Sequence, residues 1–392
     1  MKKIIIINNN MKIGGVQKSL YNLLWSIDTV NQYDVTLLLF HKAGAYLHAL
    51  PPNVKVEECG GPFRYLGMSQ GECRGSLKDT LMRGVLAAVS RLFGRSAAVR
   101  LMLPRQPMWT EECDCAISYL QNGRKNSFYG GVQEYVLERV RASRKFAFIH
   151  CDYRRCGADY PENNRLLERF DGIAACSDGC RQVLEDALPH LKGKCTTVRN
   201  CHRFDEIRAL ADDDPLMYDS AGIHGILVAR LSHEKGIERA IRAAEAAHSQ
   251  GLPVKLHIVG GGPMRADLER QAKEAGITDQ VIFYGEMSNP YRFMKHADLL
   301  LLTSYHEAAP MVIEEARSLG IPTLSTETTS SREMITDSGG GWVCENSQQA
   351  LTEALIELIR QKDRLAECKK RLAAIPTDNN NALAHFRCLL ES

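Results

Sequence analysis

Glu307 and Glu315 stand eight positions apart in the stretch "SYHEAAPMVIEEARSLGIP", residues 304–322, around a small-residue turn and a proline. A helix that only packed would need the apolar spacing of Met311, Val312, Ala316 and Leu319, and Glu307 would be idle. Pro310 predicts the first turn of a helix that carries Glu315. Ala308 and Ala309 are small enough for a ligand to come close to the backbone, and the free amides of Met311 and Val312 suit an anion.

A second group of candidates lies upstream. In "LVARLSHEKGIERAIRA", Arg230 and Lys235 are five positions apart in a loop between an apolar run and an amphipathic stretch. Two fixed cations there suit a diphosphate, whose oxygens take charge-assisted hydrogen bonds. Surface ion pairing with Glu234 or Glu238 is the alternative. With a diphosphate in place, Glu315 is positioned to accept from the two vicinal hydroxyls of a ribose, and Glu307 to hold a sugar ring near its reacting carbon. "VGGGP", 259–263, makes another strand-to-helix turn, read equally well as a tight turn alone. Near the N-terminus, Gly14 and Gly15 separate an apolar run from a helix beginning near Val16. Glycines there allow unusual backbone angles, and the helix start offers N–H groups to an anion or to sugar hydroxyls. The GxGxxG pattern of nicotinamide-binding folds does not fit this stretch.

Alternation of apolar and amphipathic runs supplies the elements that position these residues. Strands are predicted at 4–7, 35–40, 115–119, 146–150 and 172–176, then at 225–229, 256–259, 281–284, 299–303 and 323–325. Helices are predicted at 238–248, 264–275, 311–319 and 348–361, with a short one from about Ala382. The stretch 208–222, "RALADDDPLMYDSAG", marks a boundary between two α/β, doubly wound domains, and ligands of such domains sit at strand carboxyl ends facing the cleft. The expected division is 1–207, 208–372 and a terminal segment 373–392. Asp212, Asp213 and Asp214 read as a solvated cluster in the linker rather than a metal site.

With 392 residues, 44% of them hydrophobic and 24% charged, the chain has ordinary globular composition, and a net charge of +2 gives no general pull toward nucleic acid. Thirteen scattered cysteines favour a reducing compartment, and pairs such as Cys113/Cys115, Cys151/Cys156 and Cys176/Cys180 lack the matched spacing of structural zinc sites. The reducing compartment so favoured is the cytoplasm, and no apolar run is long enough for a signal peptide core or a membrane span. One segment departs from the alternation. Residues 74–105 carry Arg74, Lys78, Arg83, Arg91, Arg95, Arg100 and Arg105 against a single acid, Asp79, with leucines, valines and Phe93 interleaved. It reads either as a solvated helical face or as a surface for anionic lipid or a lipid-linked substrate.

Taken in order, these motifs resemble those of family 4 glycosyltransferases of the GT-B fold, a group of retaining, nucleotide-sugar-dependent enzymes, over almost the whole chain. The resemblance rests on "GGVQKSLYNLL", "VARLSHEKGIERAI", "LHIVGGGPMRADLE", "VIFYGEMSNPYRFMKHADLLLLTS" and the Glu-x7-Glu block "EAAPMVIEEARSLGIPTLST". It implies two Rossmann-like domains facing across a cleft, an N-terminal one for the acceptor and a C-terminal one for the donor. It implies that Arg230 and Lys235 bind the donor diphosphate, Glu315 the ribose and Glu307 the transferred sugar, with backbone from Gly285 to Met287 near the base. "FAFIHCDYR" resembles the histidine loop of the family, which implies that His150 faces the donor sugar. Two local departures are Asn200-Cys201-His202-Arg203 in the inter-domain segment and Glu307-Ala308 where Glu-Gly is usual.

The resemblance further implies front-face attack, assisted by the leaving phosphate, with neither a protein nucleophile nor a metal or other cofactor. The expected partners are a nucleotide-sugar donor, UDP-linked hexose or N-acetylhexosamine favoured, and a glycan or lipid-linked acceptor of capsule, exopolysaccharide or lipopolysaccharide assembly. Contact of 74–105 with the inner membrane face is expected, and nucleic acid is not. A non-catalytic glycosyltransferase-like subunit and a nucleotide-sugar epimerase of the same fold are the alternatives.

Overall fold

The computed structural model describes residues 1–29, 32–219 and 222–391; Ser220 and Ala221 of the boundary stretch lie outside the described residues. The chain forms two compact units, Met1–His202 with Asn379–Ser392, and Arg203–Asp378.

The first unit is built on a parallel sheet of seven strands in the order β3-β2-β1-β4-β5-β6-β7. These are β1 (Lys2–Asn8), β2 (Tyr33–Leu39), β3 (Lys55–Glu58), β4 (Cys113–Ser118), β5 (Ala142–Ile149), β6 (Gly172–Ala175) and β7 (Cys195–Thr197). Ile4 to Ile7 are all buried, as a central parallel strand covered on both faces requires. The terminal helix Asn380–Glu391 belongs to this unit, where Phe386, Leu389 and Leu390 join the core that contains Ile4 and Phe148.

The second unit has six parallel strands in the order β10-β9-β8-β11-β12-β13. They are β8 (Ile223–Val228), β9 (Val254–Val259), β10 (Val281–Gly285), β11 (Leu299–Leu302), β12 (Thr323–Thr326) and β13 (Gly341–Cys344). Three strands escape the apolar pattern: β3, whose four residues are KVEE, β7 with three residues, and β13, none of whose residues is fully buried. Each closes or borders a sheet edge, where burial on both faces is not demanded. The boundary stretch begins inside the helix Phe204–Asp212, which packs Phe204, Ile207 and Ala211 into the second core. Asp212 pairs with Lys295 at 2.7 Å and Asp214 with Arg292, so the exposed acidic cluster is ion-paired at both ends.

In both sheets the strand order reverses at one place, between β1 and β4 and between β8 and β11. Successive connections leave those two strands in opposite directions, which opens a crevice at their carboxyl ends. The loops that follow β8 and β11 hold Arg230, Lys235 and Glu307.

Candidate functional site

The loop after β8 and the loop after β11 are fastened together. Gly236 has φ 59°, and a Cβ there would meet the Thr303 carbonyl oxygen at 2.2 Å, so only glycine permits the approach. The Thr303 hydroxyl donates to the Gly236 carbonyl at 2.8 Å, and the Tyr305 amide donates to the Glu234 carbonyl at 3.0 Å. Arg239, buried on the helix Ile237–His248, donates to the Thr303 carbonyl at 3.2 Å and to Asn346 Oδ1 at 2.7 Å. Asn346 Nδ2 in turn donates to the carbonyls of Tyr305 at 3.0 Å and Glu327 at 2.8 Å.

This clasp brings Lys235 and Glu307 together across 72 positions of sequence, Nζ to Oε1 at 2.5 Å. The Ser304 hydroxyl donates to the same carboxylate oxygen at 2.8 Å. Both charged side chains are mostly shielded, with 27% of Lys235 and 13% of Glu307 exposed, so solvent screens their fields weakly. They line a small cavity with Ala229, Ser304, Pro310 and Val312.

Arg230 is not drawn into it. Its side chain is 70% exposed and reaches Glu234 at 3.2 Å, the surface pairing that the sequence left open. The GGGP turn lies against the Arg230 loop: the Leu231 amide donates to the Gly261 carbonyl at 2.8 Å. A Cβ on Gly262, at φ 156°, would sit 2.4 Å from the Leu231 oxygen. More than a tight turn is therefore needed from these glycines, since they permit close backbone packing.

The helix Met311–Ser318 begins beside the cavity, and Pro310 takes the cap position, with φ −65° and ψ 124°, rather than the first helical turn. Proline offers no capping side chain, so the Met311 and Val312 amides receive no acceptor from the cap and are oriented by the helix start. Ala308 and Ala309 are half-buried just before it. Glu315 lies one turn in, buried, and accepts from the Tyr291 hydroxyl at 3.2 Å. Gly285 ends β10 at φ 81°, with its carbonyl accepting from the Gly260 amide at 2.7 Å, and Met287 beyond it is exposed.

In the first unit, Gly14 and Gly15 do not take unusual backbone angles. Gly14 is extended at φ 173°, and neither glycine is among those with positive φ. A Cβ on Gly15 would meet nothing within 4 Å, whereas one on Gly14 would sit 2.6 Å from Gln17 Oε1, so the helix Gly15–Asp28 starts with a close side chain on one side and open space on the other instead of a strained turn. His150 follows β5, its ring 4.6 Å from that of Tyr119 and 5.8 Å from that of Phe148. Its Nε2 is shielded from solvent and has no hydrogen-bond partner among the described residues. Burial, partly offset by a hydrogen bond to the Tyr119 backbone, lowers its pKa to about 4, so the imidazole is neutral near pH 7.

The basic segment also departs from expectation. Arg95 is fully buried, Nη2 2.6 Å from Glu134 Oε1 and Nε donating to the Tyr160 hydroxyl at 3.0 Å. The preceding helix, Leu77–Phe93, exposes an apolar stripe of Leu77, Leu81, Val85 and Leu92, with Phe93 beside them. Arg74, Lys78, Arg91, Arg100 and Arg105 are exposed along the same segment.

Ser304, Thr303, Arg239 and Asn346 were not singled out from sequence. One signal was present for Arg239, a cation within the buried stripe Ile237, Ala240, Ile241 and Ala244. The other three have no local pattern that distinguishes them.

Among the described residues no helix is long and apolar enough to cross a membrane, and no group of three or more His, Cys, Asp or Glu side chains is placed to hold a metal ion. Residues 225–373 match the family described as glycosyl transferases group 1. An uncharacterized glycosyltransferase of Methanocaldococcus jannaschii is 27% identical over 161 residues, 40% of this chain and 39% of the relative. The amylovoran biosynthesis glycosyltransferase AmsK of Erwinia amylovora is 29% identical over 168 residues, 40% of this chain and 41% of the relative. The matched stretch thus spans about two fifths of these curated relatives. Over the whole of both chains the fold is similar to that of HepE of Anabaena, solved with UDP and glucose, with a TM-score of 0.69 at 17% identity. The two parallel-sheet, Rossmann-like units therefore have the GT-B fold, and the second of them matches, over 225–373, the family described as glycosyl transferases group 1.

Proposed function

We propose that the chain is a retaining glycosyltransferase of the family 4 type, which moves a hexose or N-acetylhexosamine from a nucleotide-sugar, UDP-linked in the first instance, to a glycan or lipid-linked glycan acceptor in cell-surface polysaccharide assembly. The observation that carries this reading is the cavity at the switch of the second sheet. There an ammonium, a carboxylate and the start of a helix, at Pro310 and Val312, meet within one small space.

In this reading the donor diphosphate displaces Glu307 as the partner of Lys235, and Arg230 exchanges Glu234 for a phosphate oxygen. The amides of Met311 and Val312 face the same charge, with Ala308 and Ala309 leaving room for it. Glu307, released, accepts from a hydroxyl of the transferred sugar. Glu315 holds the ribose hydroxyls, and backbone from Gly285 to Met287 borders the base. As the bond from the sugar carbon to the diphosphate oxygen breaks, the electron pair leaves with the diphosphate. The acceptor hydroxyl attacks the same face of the oxocarbenium-like carbon and gives its proton to the departing phosphate oxygen. Fixed cations and amides stabilise that growing charge without reorganising, which is the largest contribution they can make. No metal ion or other cofactor enters the scheme. Gly14, Gly15 and a neutral His150 serve the sugar side in this reading.

The apolar stripe of Leu77–Phe93, bordered by exposed bases, supports a lipid-linked acceptor at the cytoplasmic face of a membrane. The UDP and glucose of the Anabaena structure and the polysaccharide named for the Erwinia relative support the donor and pathway classes. A panel of nucleotide-sugars, each assayed for hydrolysis and for transfer to lipid-linked glycans, tests the proposal. Turnover of one donor is expected, and no turnover with any of them would contradict it.

A further inference from the structure

Cys151 and Cys156 lie directly after His150, with their sulfurs 2.8 Å apart. That is within about 1 Å of the covalent S–S length of about 2.05 Å. The turn between them is closed by its own backbone: the Cys156 amide donates to the Asp152 carbonyl at 2.9 Å, and the Ala158 amide to the Tyr153 carbonyl at 3.2 Å. Its middle is anchored, since the buried Tyr153 hydroxyl donates to Asn164 Oδ1 at 2.7 Å and accepts from Asn163 Nδ2 at 3.0 Å. Both residues are half-buried at the edge of the core of the first unit. Arg154 and Arg155, both exposed within the turn, face Asp159 and Asp152, each at 3.9 Å.

The two thiols are not equivalent. The contact with Cys151 pulls the Cys156 thiol below its ordinary pKa, whereas the same contact, together with burial, pushes that of Cys151 well up. One sulfur is thus prepared to attack and the other to resolve.

We propose that Cys151 and Cys156 are a modification site, a thiol pair that a hydroperoxide closes reversibly into a disulfide across the turn next to His150. The Cys156 sulfur attacks one peroxide oxygen. The O–O bond breaks, the leaving oxygen departs as an alcohol, or as water from hydrogen peroxide, with the thiol proton, and Cys156 becomes a sulfenic acid. The Cys151 sulfur then attacks Cys156, the S–O bond breaks, and hydroxide leaves as water with the proton of Cys151. Two thiols are oxidised to one disulfide while one peroxide is reduced, and a dithiol reverses the step by exchange.

The test treats the full chain with limiting hydrogen peroxide and maps the thirteen cysteines by mass spectrometry of non-reduced digests. A peptide joining 151 to 156, short of two hydrogens and restored by dithiothreitol, is the expected result. In Cys151→Ser the Cys156 sulfenic acid should accumulate and be trapped by dimedone, whereas in Cys156→Ser the Cys151 sulfur should stay unlabelled. Disulfides formed elsewhere while this pair stays reduced would overturn the proposal, and so would equal labelling in the two variants.

The consequence for catalysis rests on the sugar-transfer reading above: oxidation should slow transfer severalfold in the wild type, reversibly, and leave Cys151→Ser unaffected. An unchanged rate in the crosslinked protein would refute control by the pair. A crosslink that forms in a protein with no transfer in either state would count against the transfer reading alone.

Discussion

The loops at the switch of the second sheet and the helices of 74–105 both present cations, yet they use them in opposite ways. In the first region Lys235 faces inward onto Glu307 beside a helix start, so its charge is held where an anion can compete for it. In the second region the inward cation, Arg95, is already committed to Glu134 and Tyr160, while the outward face of Leu77–Phe93 is apolar with bases around it. Charge count alone does not separate these cases. What separates them is whether the partner of the cation can be exchanged.

Breaking the committed pair should have the largest effect. Arg95→Ala leaves Glu134 buried without its cation and should cost about 3–5 kcal/mol of stability, read by urea unfolding. An unfolding midpoint equal to that of the wild type would mean that Arg95 is as expendable as a surface base. Next comes the exchangeable pair. Lys235→Ala should lower kcat/KM for the donor by ~10²-fold or more, with thermal stability close to that of the wild type. Smaller again, Glu315→Ala should weaken donor binding about tenfold, near 1.4 kcal/mol, and unchanged donor affinity would remove its ribose role.

The outward face should respond only to lipid. Arg91→Gln with Arg100→Gln should weaken binding to anionic vesicles by about 1 kcal/mol per base at low salt, and leave unfolding unchanged. Failure of the wild type to bind such vesicles would reduce this face to a solvated one.

A separate effect concerns pH. The folded pKa of His150, about 4, lies below its ordinary 6.5. The unfolded chain then binds the extra proton first, so the stabilisation is complete above pH 6.5 and is lost as pH falls toward 4. His150→Phe should flatten that part of the stability profile, and an identical slope in the variant would show that His150 is not the group titrating.

Much of the fold was legible because central parallel strands are continuous apolar runs, as Ile4 to Ile7 illustrate. Edge strands such as β3 carry KVEE and leave no such trace. At the site, residue type and spacing singled out Lys235, Glu307 and Glu315, but not the contact across 72 positions that pairs the first two. Tertiary clasps through Arg239, Asn346 and Gly236 make that contact. Periodicity likewise could not tell which way the helices of 74–105 are rotated, so Arg95 was counted among the outward bases. Gly14 was misread for a related reason, since a glycine before a helix signals either a strained angle or a close neighbour, and here the backbone is extended with Gln17 Oε1 2.6 Å from where a Cβ would stand.

Calorimetric titration of UDP and the other nucleoside diphosphates into the wild type and Lys235→Ala, at equal pH and salt, tests the central claim most directly. The account predicts that at least one diphosphate binds the wild type and binds the variant at least tenfold more weakly, about 1.4 kcal/mol. Equal affinity for both proteins, or no binding to either, would contradict it.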